Sequence, residues 1–436
     1  MKPTPIPTEM VDSALDFYGM NNPGSASIRE IRRLIDRLES EQEVRFIRME
    51  MGIPGLPVPE IAIEAERAAL ASGVASSYPP VAGVPRLKQE ISRFVALFLG
   101  VSIDPAGCVP TTGSINGSYA AFMVAGRARE GKDTVLFLDP GFPVHKQQAR
   151  MVGLPTRSFD VYNYRGKALE KRLEEAVADG SVGALLYSNP NNPSWICFTD
   201  EELGIISRVA ERYDIVVIED LAYFGMDFRQ DFGNPGQPPF PPTVANYTEN
   251  FILLISSSKA FSYAGQRIGM ICVSDTLMSR RYPDLLRYYS SDLFGEALIL
   301  GTLYATTAGV THSAQHGLWA MLSAVNNGEY DFLSVVRRYG DRAKMMKEAF
   351  TDCGFSIVYD TDIDRPIADG FYFTISYPGL SGEELIRELL YYGVSAISLS
   401  QTGSERLEGI RACVSLVHED EIPELRRRLE LFGAHH

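Results

Sequence analysis

Five short apolar runs that alternate with helical stretches constrain the fold of this 436-residue chain more than any other feature of its sequence. Strands that are apolar along their whole length are typical of a parallel sheet covered by helices on both faces. The pattern therefore predicts an α/β fold, in which a large domain has a mostly parallel sheet flanked by helices. The runs are residues 134–139, 182–188, 214–220, 251–256 and 267–274.

The two ends of the chain have a different texture. Residues 27–48 have helical apolar spacing, and Ser27 and Glu30 form the sequence pattern of a capping box at its start. Beyond about residue 330, a long helical stretch is followed by three short strand-like segments. These features predict a smaller α+β domain built from both chain ends. The predicted domains are residues 55–325 for the large one and residues 1–54 together with 326–436 for the small one.

Composition and charge exclude several classes of protein. The net charge of −14, without any cluster of Lys and Arg, argues against a nucleic-acid partner. No apolar stretch approaches the ~20 residues of a membrane span, and the first residues lack the pattern of a signal peptide. The five cysteines are widely spaced and the six histidines lack metal-ligand spacing, so we expect neither a disulfide framework nor a metal site. A cytoplasmic protein without membrane association fits best.

Polar side chains follow three of the predicted strands at the point where each strand ends. Asn192 follows the run at 182–188, Asp220 ends the next run, and Lys259 comes three residues after the run at 251–256. In open α/β sheets, ligands bind at the carboxyl ends of the strands. We therefore expect the three side chains to converge at one edge of the sheet.

This set of residue types matches the needs of pyridoxal phosphate. The cofactor needs a lysine amine for its Schiff base, a carboxylate for its ring nitrogen, and hydroxyl and arginine donors for its phosphate. Lys259, Asp220 and the pair of Ser256 and Arg267 supply these groups. A glycine-containing segment around Ser114 precedes a predicted helix whose N-terminal N–H groups favour an anion.

Taken together, these motifs resemble the class I/II aminotransferases of pyridoxal-phosphate fold type I, and the resemblance covers nearly the whole chain. The segment SSSKAFSYAGQRIG implies that Lys259 forms the Schiff base and that Arg267 binds the phosphate. The segment NPNNPS implies that Asn192 donates to the ring hydroxyl. The segment EDLAYFGM implies that Asp220 holds the ring nitrogen protonated and that Tyr223 reaches the same hydroxyl.

Four further segments extend the resemblance. DPGFPVHK implies that Phe142 stacks on the cofactor ring, and SSYPPVAGVPRLK implies that Tyr78 reaches the phosphate of a neighbouring subunit in a homodimer with shared active sites. GIRACVS implies that Arg411 binds the substrate α-carboxylate. MGIPG implies that the loop of Gly52 closes over that carboxylate. The phosphate-loop residues implied by the resemblance are Ser114, Ile115 and Asn116.

The implied reaction is transfer of an amino group from an L-amino acid to a 2-oxo acid. Two departures from the family pattern stand out. Ser194 and Trp195 occupy the positions at which the family usually has Thr and Gly, so a large aromatic side chain lies beside the predicted site. Residues 288–315 also form a longer segment than is usual in the family.

The arginine pattern bears on the choice of substrate. Dicarboxylate-specific relatives bind the distal carboxylate with an arginine from the neighbouring subunit, yet no arginine lies between Arg287 and Arg337. Trp195, Tyr223 and Phe224 are expected to offer apolar surface nearby. We therefore expect neutral, medium or large side chains to be preferred over aspartate.

Two other functions remain open from the sequence. A lyase on the same scaffold, such as a C–S lyase, a cyclase or a decarboxylase, would use the same cofactor residues. A non-catalytic binding or regulatory module would be favoured by a fused helix-turn-helix domain, and the sequence shows none at either end.

Overall fold

The computed structural model describes residues 4–42 and 44–436. The chain forms two compact units, which we call the large unit and the small unit. The large unit comprises Leu56–Pro190 and Cys197–Val336, and the small unit comprises the described residues of Met1–Gly55 together with Asn191–Ile196 and Arg337–His436. In the described ranges, no helix is long and apolar enough to cross a membrane.

Strands and helices are numbered separately in chain order. The strands are β1 (Ile47–Arg48), β2 (Cys108–Thr111), β3 (Thr134–Asp139), β4 (Thr156–Asp160), β5 (Val182–Ser188), β6 (Val216–Leu221), β7 (Phe251–Ser256), β8 (Gly269–Val273), β9 (Ser356–Ile357), β10 (Thr361–Asp362), β11 (Arg365–Pro366), β12 (Tyr372–Ser376), β13 (Val394–Ser395), β14 (Ile397–Ser398) and β15 (Ile410–Cys413). The helices are α1 (Thr8–Phe17), α2 (Ile28–Gln42), α3 (Glu60–Ala71), α4 (Pro85–Leu99), α5 (Gly113–Ala125), α6 (Pro143–Met151), α7 (Ala168–Val177), α8 (Asp200–Tyr213), α9 (Ser257–Ala260), α10 (Asp275–Ser279), α11 (Phe294–Glu296), α12 (Tyr304–Thr307), α13 (His312–Asn326), α14 (Phe332–Asp352), α15 (Gly382–Tyr391) and α16 (Ile422–His435), and a π-helical turn over Ala297–Leu303 joins α11 to α12.

The large unit is built on a sheet of seven strands among the described residues, in the order β2-β8-β7-β6-β5-β3-β4. The strands from β3 to β7 are parallel, which confirms the predicted fold class. All five apolar runs form strands, but the run at 267–274 forms β8, which is antiparallel to β7 and to β2. The edge strands β2 and β4 were not predicted, because β2 contains Pro110 and β4 is partly exposed.

Both faces of this sheet are buried, which explains why its strands are apolar throughout. On one face, Phe137 and Ile218 belong to a core cluster that also contains Phe122 of α5. The alternate residues, such as Leu136 and Val217, point to the opposite face and are also fully buried. Helices therefore cover both faces. Polar functional side chains lie at the ends of the strands.

The small unit joins the two ends of the chain. Its sheet has the order β14-β15-β12-β9 and is antiparallel, while β1 pairs in parallel with β13. The capping box of Ser27 and Glu30 is present at the start of α2. The helix predicted over 27–48 is too long, because α2 ends at Gln42 and Ile47 is instead paired with Val394, a partner almost 350 residues away in the chain.

Candidate active site

Lys259 and Asp220 lie at the carboxyl ends of neighbouring parallel strands of the large unit. Asp220 is near the end of β6 and is 5% exposed, and its Oδ1 accepts a hydrogen bond from the N–H of Ala222 at 3.1 Å. β7 ends at Ser256, and Lys259 follows in the single turn of α9. Because β6 and β7 are adjacent in the sheet, the predicted convergence of these two residues is confirmed.

The two groups interact electrostatically. Burial raises the pKa of Asp220 to about 6, and the positive charge of Lys259 opposes that rise. The Nζ of Lys259 lies 5.9 Å from the centre of the ring of Tyr223, a site residue that the family resemblance implied. The arrangement places a carboxylate, an amine and a phenol at one edge of the sheet.

His145 belongs to this cluster, although the sequence analysis considered it only as a metal ligand. Its Nε2 lies 3.9 Å from Oδ2 of Asp220, which is too long for a hydrogen bond. Complete burial lowers the pKa of His145 to about 4, so the imidazole is neutral at pH 7. The ring also packs edge-on against Phe142, with 5.5 Å between ring centres. The available signal was its position three residues after Phe142, within the first turn of α6.

Gly113 and Arg267 form a narrow cradle at the start of α5. Gly113 has φ +71°, and a Cβ added there would lie 2.7 Å from Nη2 of Arg267. Next to them, Gly269 lies opposite Ser256 in the sheet, and a Cβ on Gly269 would come within 2.8 Å of the backbone nitrogen of Ser114. Only glycine fits at both positions, so the chain leaves room for backbone N–H groups and a guanidinium to face one small volume.

The other predicted phosphate-loop residues lie in the first turn of α5. The side-chain oxygen of Asn116 accepts from the N–H of Thr112 at 3.3 Å, and its amide donates to Oγ1 of Thr306 at 3.3 Å. Ile115 is 38% exposed, and its carbonyl accepts from the amide of Gln148 at 2.7 Å. These contacts fix the start of α5, and Thr306 connects it to the segment at 288–315.

Arg411 lies in the small unit, in the central part of β15, and is 1% exposed. Its Nη2 donates to the carbonyl oxygen of Glu50 at 2.7 Å, and its guanidinium lies 4.6 Å from the centre of the Tyr372 ring. Its Nε is buried and has no hydrogen-bond partner among the described residues. A buried donor of this kind needs an acceptor, and an anion such as a carboxylate would supply one.

Gly52 lies next to the same aromatic ring. A Cβ added to Gly52 would be only 1.8 Å from the hydroxyl oxygen of Tyr372, so the loop approaches that ring as closely as a glycine permits. The residues just before Gly52 bond to the strand β15, since the N–H of Cys413 donates to the carbonyl of Met49 at 3.0 Å. The predicted neighbours Gly52 and Arg411 are therefore both in contact with Tyr372.

Asn192 is buried and belongs to the small unit, in the short segment Asn191–Ile196. Tyr78 is 92% exposed on the surface of the large unit. Tyr223, Phe224 and Trp195, which were expected to offer apolar surface near the site, are all less than 5% exposed. Phe224 packs against Phe94, with 4.8 Å between ring centres, and is part of the core.

In the described part of the chain, no group of three or more His, Cys, Asp or Glu side chains is arranged to hold an ion. None of the five cysteines, all of which the structure describes, is in a disulfide, and four of them are buried.

Comparison with known proteins shows the family of the chain. The sequence profile described as aminotransferase class I and II matches residues 46–429. The chain therefore belongs to the class I and II aminotransferase family.

Individual relatives are distant. An aspartate/prephenate aminotransferase from Thermus thermophilus is 24% identical over 361 residues, which cover 82% of this chain and 83% of the relative. Nicotianamine aminotransferase 1 from Oryza sativa subsp. japonica is 27% identical over 255 residues, which cover 57% of this chain and only 50% of the relative. Among solved structures, an aminotransferase from Mycobacterium tuberculosis superposes with a TM-score of 0.76 at 17% identity and covers 94% of this chain and 96% of that structure, which shows a shared fold.

Proposed function

We propose that this protein is a pyridoxal-phosphate-dependent aminotransferase that moves an amino group from an L-amino acid to a 2-oxo acid. The observation that carries the proposal is the buried carboxylate of Asp220 beside the amine of Lys259, at the ends of adjacent parallel strands of a chain in this family. A carboxylate and a lysine in that relation are what the ring nitrogen and the carbonyl carbon of the cofactor require.

The residues of the large unit fit the cofactor. Lys259 would form its Schiff base, and Asp220 would pair with its ring nitrogen. The cradle of Gly113 and Arg267, which a single added Cβ would fill, has the donors that a phosphate needs, and it lies at the N-terminus of a helix of 13 residues. When bound, pyridoxal phosphate supplies an electron sink for the charge that develops on the substrate Cα.

Asp220 holds the proton on the ring nitrogen in this proposal. Its pKa of about 6 means that it is a carboxylate at pH 7, and a positive charge brought next to it would favour that form further. His145 is neutral and so adds no positive charge that would compete for the same carboxylate. The burial of both groups strengthens their electrostatic effect on whatever lies beside them.

Lys259 moves the reacting proton. Its amine would act as the general base that takes the proton from the substrate Cα and holds it on Nζ. Arg411 would bind the α-carboxylate with its guanidinium fork, and Asn192 would donate to the same group. Holding the carboxylate orients the Cα–H bond for cleavage and protects the bond to the carboxylate carbon, which favours transamination over decarboxylation.

We propose further that neutral amino donors are preferred over aspartate. The support is the absence of arginine between Arg287 and Arg337 in the sequence. Arg287 itself is engaged on the surface of the large unit, where its Nη1 lies 3.4 Å from Oε2 of Glu130 and its Nε donates to the carbonyl of Asp284. Phe224 packs against Phe94 in the core of the large unit, which leaves the shape of the side-chain pocket to other residues.

The active unit in this proposal is a homodimer with shared sites. Tyr78 is 92% exposed and lies on the rim of a cavity of about 750 Å³ lined by residues 74–79 and 307–313 of the large unit. Exposed apolar side chains, including Leu300 and Tyr304, belong to the same unit. A second copy of the chain would bury this surface and bring Tyr78 to the phosphate of its neighbour.

Mixed dimers test the sharing of sites. A hybrid of one Tyr78→Ala subunit and one Lys259→Ala subunit would contain one doubly altered site and one intact site if Tyr78 acts across the dimer. We expect activity above that of either parent variant when the two variants are mixed and allowed to exchange subunits. If Tyr78 acted within its own subunit, both sites of the hybrid would be damaged and mixing would restore nothing.

The reaction itself is tested by single turnover with a panel of amino donors. Transamination converts the bound cofactor to its pyridoxamine form and releases one 2-oxo acid per site, and a 2-oxo acid then reverses the change. Release of ammonia, a thiol or carbon dioxide with the cofactor returned to its original form would instead identify a lyase. The donor with the highest kcat/KM defines the substrate class.

A further inference from the structure

The segment Asn191–Ile196 lies within the sequence of the large unit but is part of the small unit. It forms a tight turn in which the N–H of Trp195 donates to the carbonyl of Asn191 at 2.9 Å, and the N–H of Asn191 donates to the carbonyl of Ile196 at 2.9 Å. The hydroxyl of Ser194 also donates to the side-chain oxygen of Asn191 at 2.7 Å. The turn therefore holds its own shape and presents two side chains to its surroundings, Asn192 and Trp195.

Trp195 adopts a backbone conformation that side chains with a Cβ rarely adopt. Its φ is +62°, in the left-handed region that glycine favours, and its side chain is fully buried. A bulky residue remains at such an angle only when the surrounding contacts compensate for the strain. The contacts of the indole therefore stabilise this backbone conformation.

The indole lies against Gly370 and Tyr372, which precede and begin β12. A Cβ added to Gly370 would lie 1.9 Å from Cε2 and 2.1 Å from Nε1 of Trp195, so the position accepts only glycine while the indole is there. The ring of Trp195 meets that of Tyr372 nearly edge-on, with 6.2 Å between ring centres and 69° between planes. Tyr372 also contacts Arg411, whose guanidinium is 4.6 Å from the centre of the Tyr372 ring.

We infer that Trp195 is a positioning residue for the α-carboxylate of the substrate. It anchors the turn of Asn192 to Tyr372, and Tyr372 supports Arg411, so that the amide and the guanidinium are held in one preformed assembly of the small unit. This inference rests on the proposed function in assigning the anion to an amino acid, but the assembly binds a carboxylate whether or not the reaction proceeds. Because the indole packs against Gly370 and Tyr372, it acts through Tyr372 and the turn.

Two single substitutions, Trp195→Gly and Gly370→Ala, distinguish this positioning role from a general effect on the stability of the fold. Trp195→Gly relieves the strained φ and keeps the turn possible, while it removes the anchor. Gly370→Ala should displace the indole and do the same damage from the other side. For each single variant we expect KM for every amino donor to rise about tenfold, the size of one weakened charge-assisted contact, with kcat at saturation within about threefold.

The double variant decides whether the two residues act together. With the indole absent, the methyl group of Gly370→Ala meets no obstacle, so Trp195→Gly/Gly370→Ala should be no worse than Trp195→Gly alone. Additive losses in the double variant would overturn the inference, because Gly370 would then matter for a reason unrelated to Trp195. A fall in kcat with KM unchanged would overturn it as well.

Fluorescence provides a readout that needs no turnover. The chain has two tryptophans, and Trp319 lies in the large unit beneath the guanidinium of Arg86. In a Trp319→Phe variant, Trp195 is the only tryptophan, and with excitation selective for tryptophan we expect propionate to change its emission saturably whereas propionamide does not. The matched Trp195→Phe variant should give no response to propionate. A silent Trp195 in a protein that still binds propionate by calorimetry would overturn the inference while leaving the proposed aminotransferase activity untouched.

Discussion

The large unit and the small unit position their functional side chains by different physical means. In the large unit, Asp220 and Lys259 lie beside each other because β6 and β7 are adjacent and parallel. In the small unit, Arg411 lies in mid-strand, and its setting depends on Tyr372 and on a single carbonyl of Glu50. Backbone topology is hard to perturb with one substitution, whereas a packed aromatic contact changes with each added or removed carbon. Substitutions in the large unit should therefore remove chemistry, and those in the small unit should weaken binding.

The largest effect is expected at Lys259. Lys259→Ala removes both the amine that would form the Schiff base and the general base, so kcat should fall by about four orders of magnitude or more. Lys88→Ala is a matched control, since Lys88 is also a lysine of the large unit and burial lowers the pKa of its amine. We expect the control to keep its activity. Comparable turnover by both variants would show that the chemistry does not pass through Lys259.

Asp220→Asn should have the next largest effect. The amide can still accept from the N–H of Ala222 but cannot stabilise a protonated ring nitrogen, and loss of such a preorganised charge lowers kcat by about 10²–10³. The neighbouring Glu219 points to the opposite face of β6, so Glu219→Gln should retain kcat within about threefold. Equal losses in the two variants would mean that both act through folding.

Glu219 should instead affect how the free energy of unfolding depends on pH. Burial raises its pKa from 4.5 to about 7, against the opposing effect of hydrogen bonds from Thr243, Asn189 and the N–H of Val244. A folded pKa above the unfolded one means that the folded state binds more protons between these values, so stability falls as pH rises from about 4.5 to 7.

A Glu219→Gln variant cannot lose that proton. The free energy of unfolding of the unaltered protein should therefore fall by about 3 kcal/mol more than that of the variant between pH 4.5 and pH 8. Urea unfolding at both pH values measures the difference, and Asp139 and Asp220 contribute equally to the two proteins. If the free energies of unfolding of the two proteins changed in parallel with pH, Glu219 would not titrate in this range in the folded state.

Arg411→Lys tests the small unit. A lysine amine cannot reproduce the planar fork of the guanidinium, so KM should rise by a similar factor for every amino donor, on the order of 1–3 kcal/mol in binding. Arg342→Lys is the control, because Arg342 is an equally buried arginine of the small unit that donates to the carbonyl of Ser415. We expect the control to change stability and leave KM alone. A loss confined to one donor would show that Arg411 contacts the side chain instead.

The smallest effect is expected at Arg287. Because its guanidinium is paired with Glu130 on the surface, Arg287→Ala should change kcat/KM for aspartate, relative to neutral donors, by less than about twofold. A selective loss of aspartate turnover would assign Arg287 to the side-chain pocket and would contradict the proposed preference for neutral donors.

The predictions from sequence succeeded where local pattern decides the structure and failed where distant parts of the chain meet. The runs at 134–139, 182–188 and 251–256 form strands with those bounds, since a chain segment that is apolar on both faces has few other places to go. The end of α2 was missed because the pairing of β1 with β13 depends on residues at the other end of the chain. His145 was missed because nothing local shows that an imidazole at the start of α6 will lie beside Asp220.

The sequence by itself determined the alternating architecture of the large unit and the residues that end its strands. Those features depend on hydrophobic periodicity and on chain order, which are local properties. Only the tertiary structure decided that Phe224 is core, that the antiparallel strands β8 and β2 complete the sheet, and that Trp195 lies against Gly370. Each of these features depends on contacts between residues that are far apart in the chain. The local sequence pattern is compatible with many arrangements of the side chains, and close packing selects one of them.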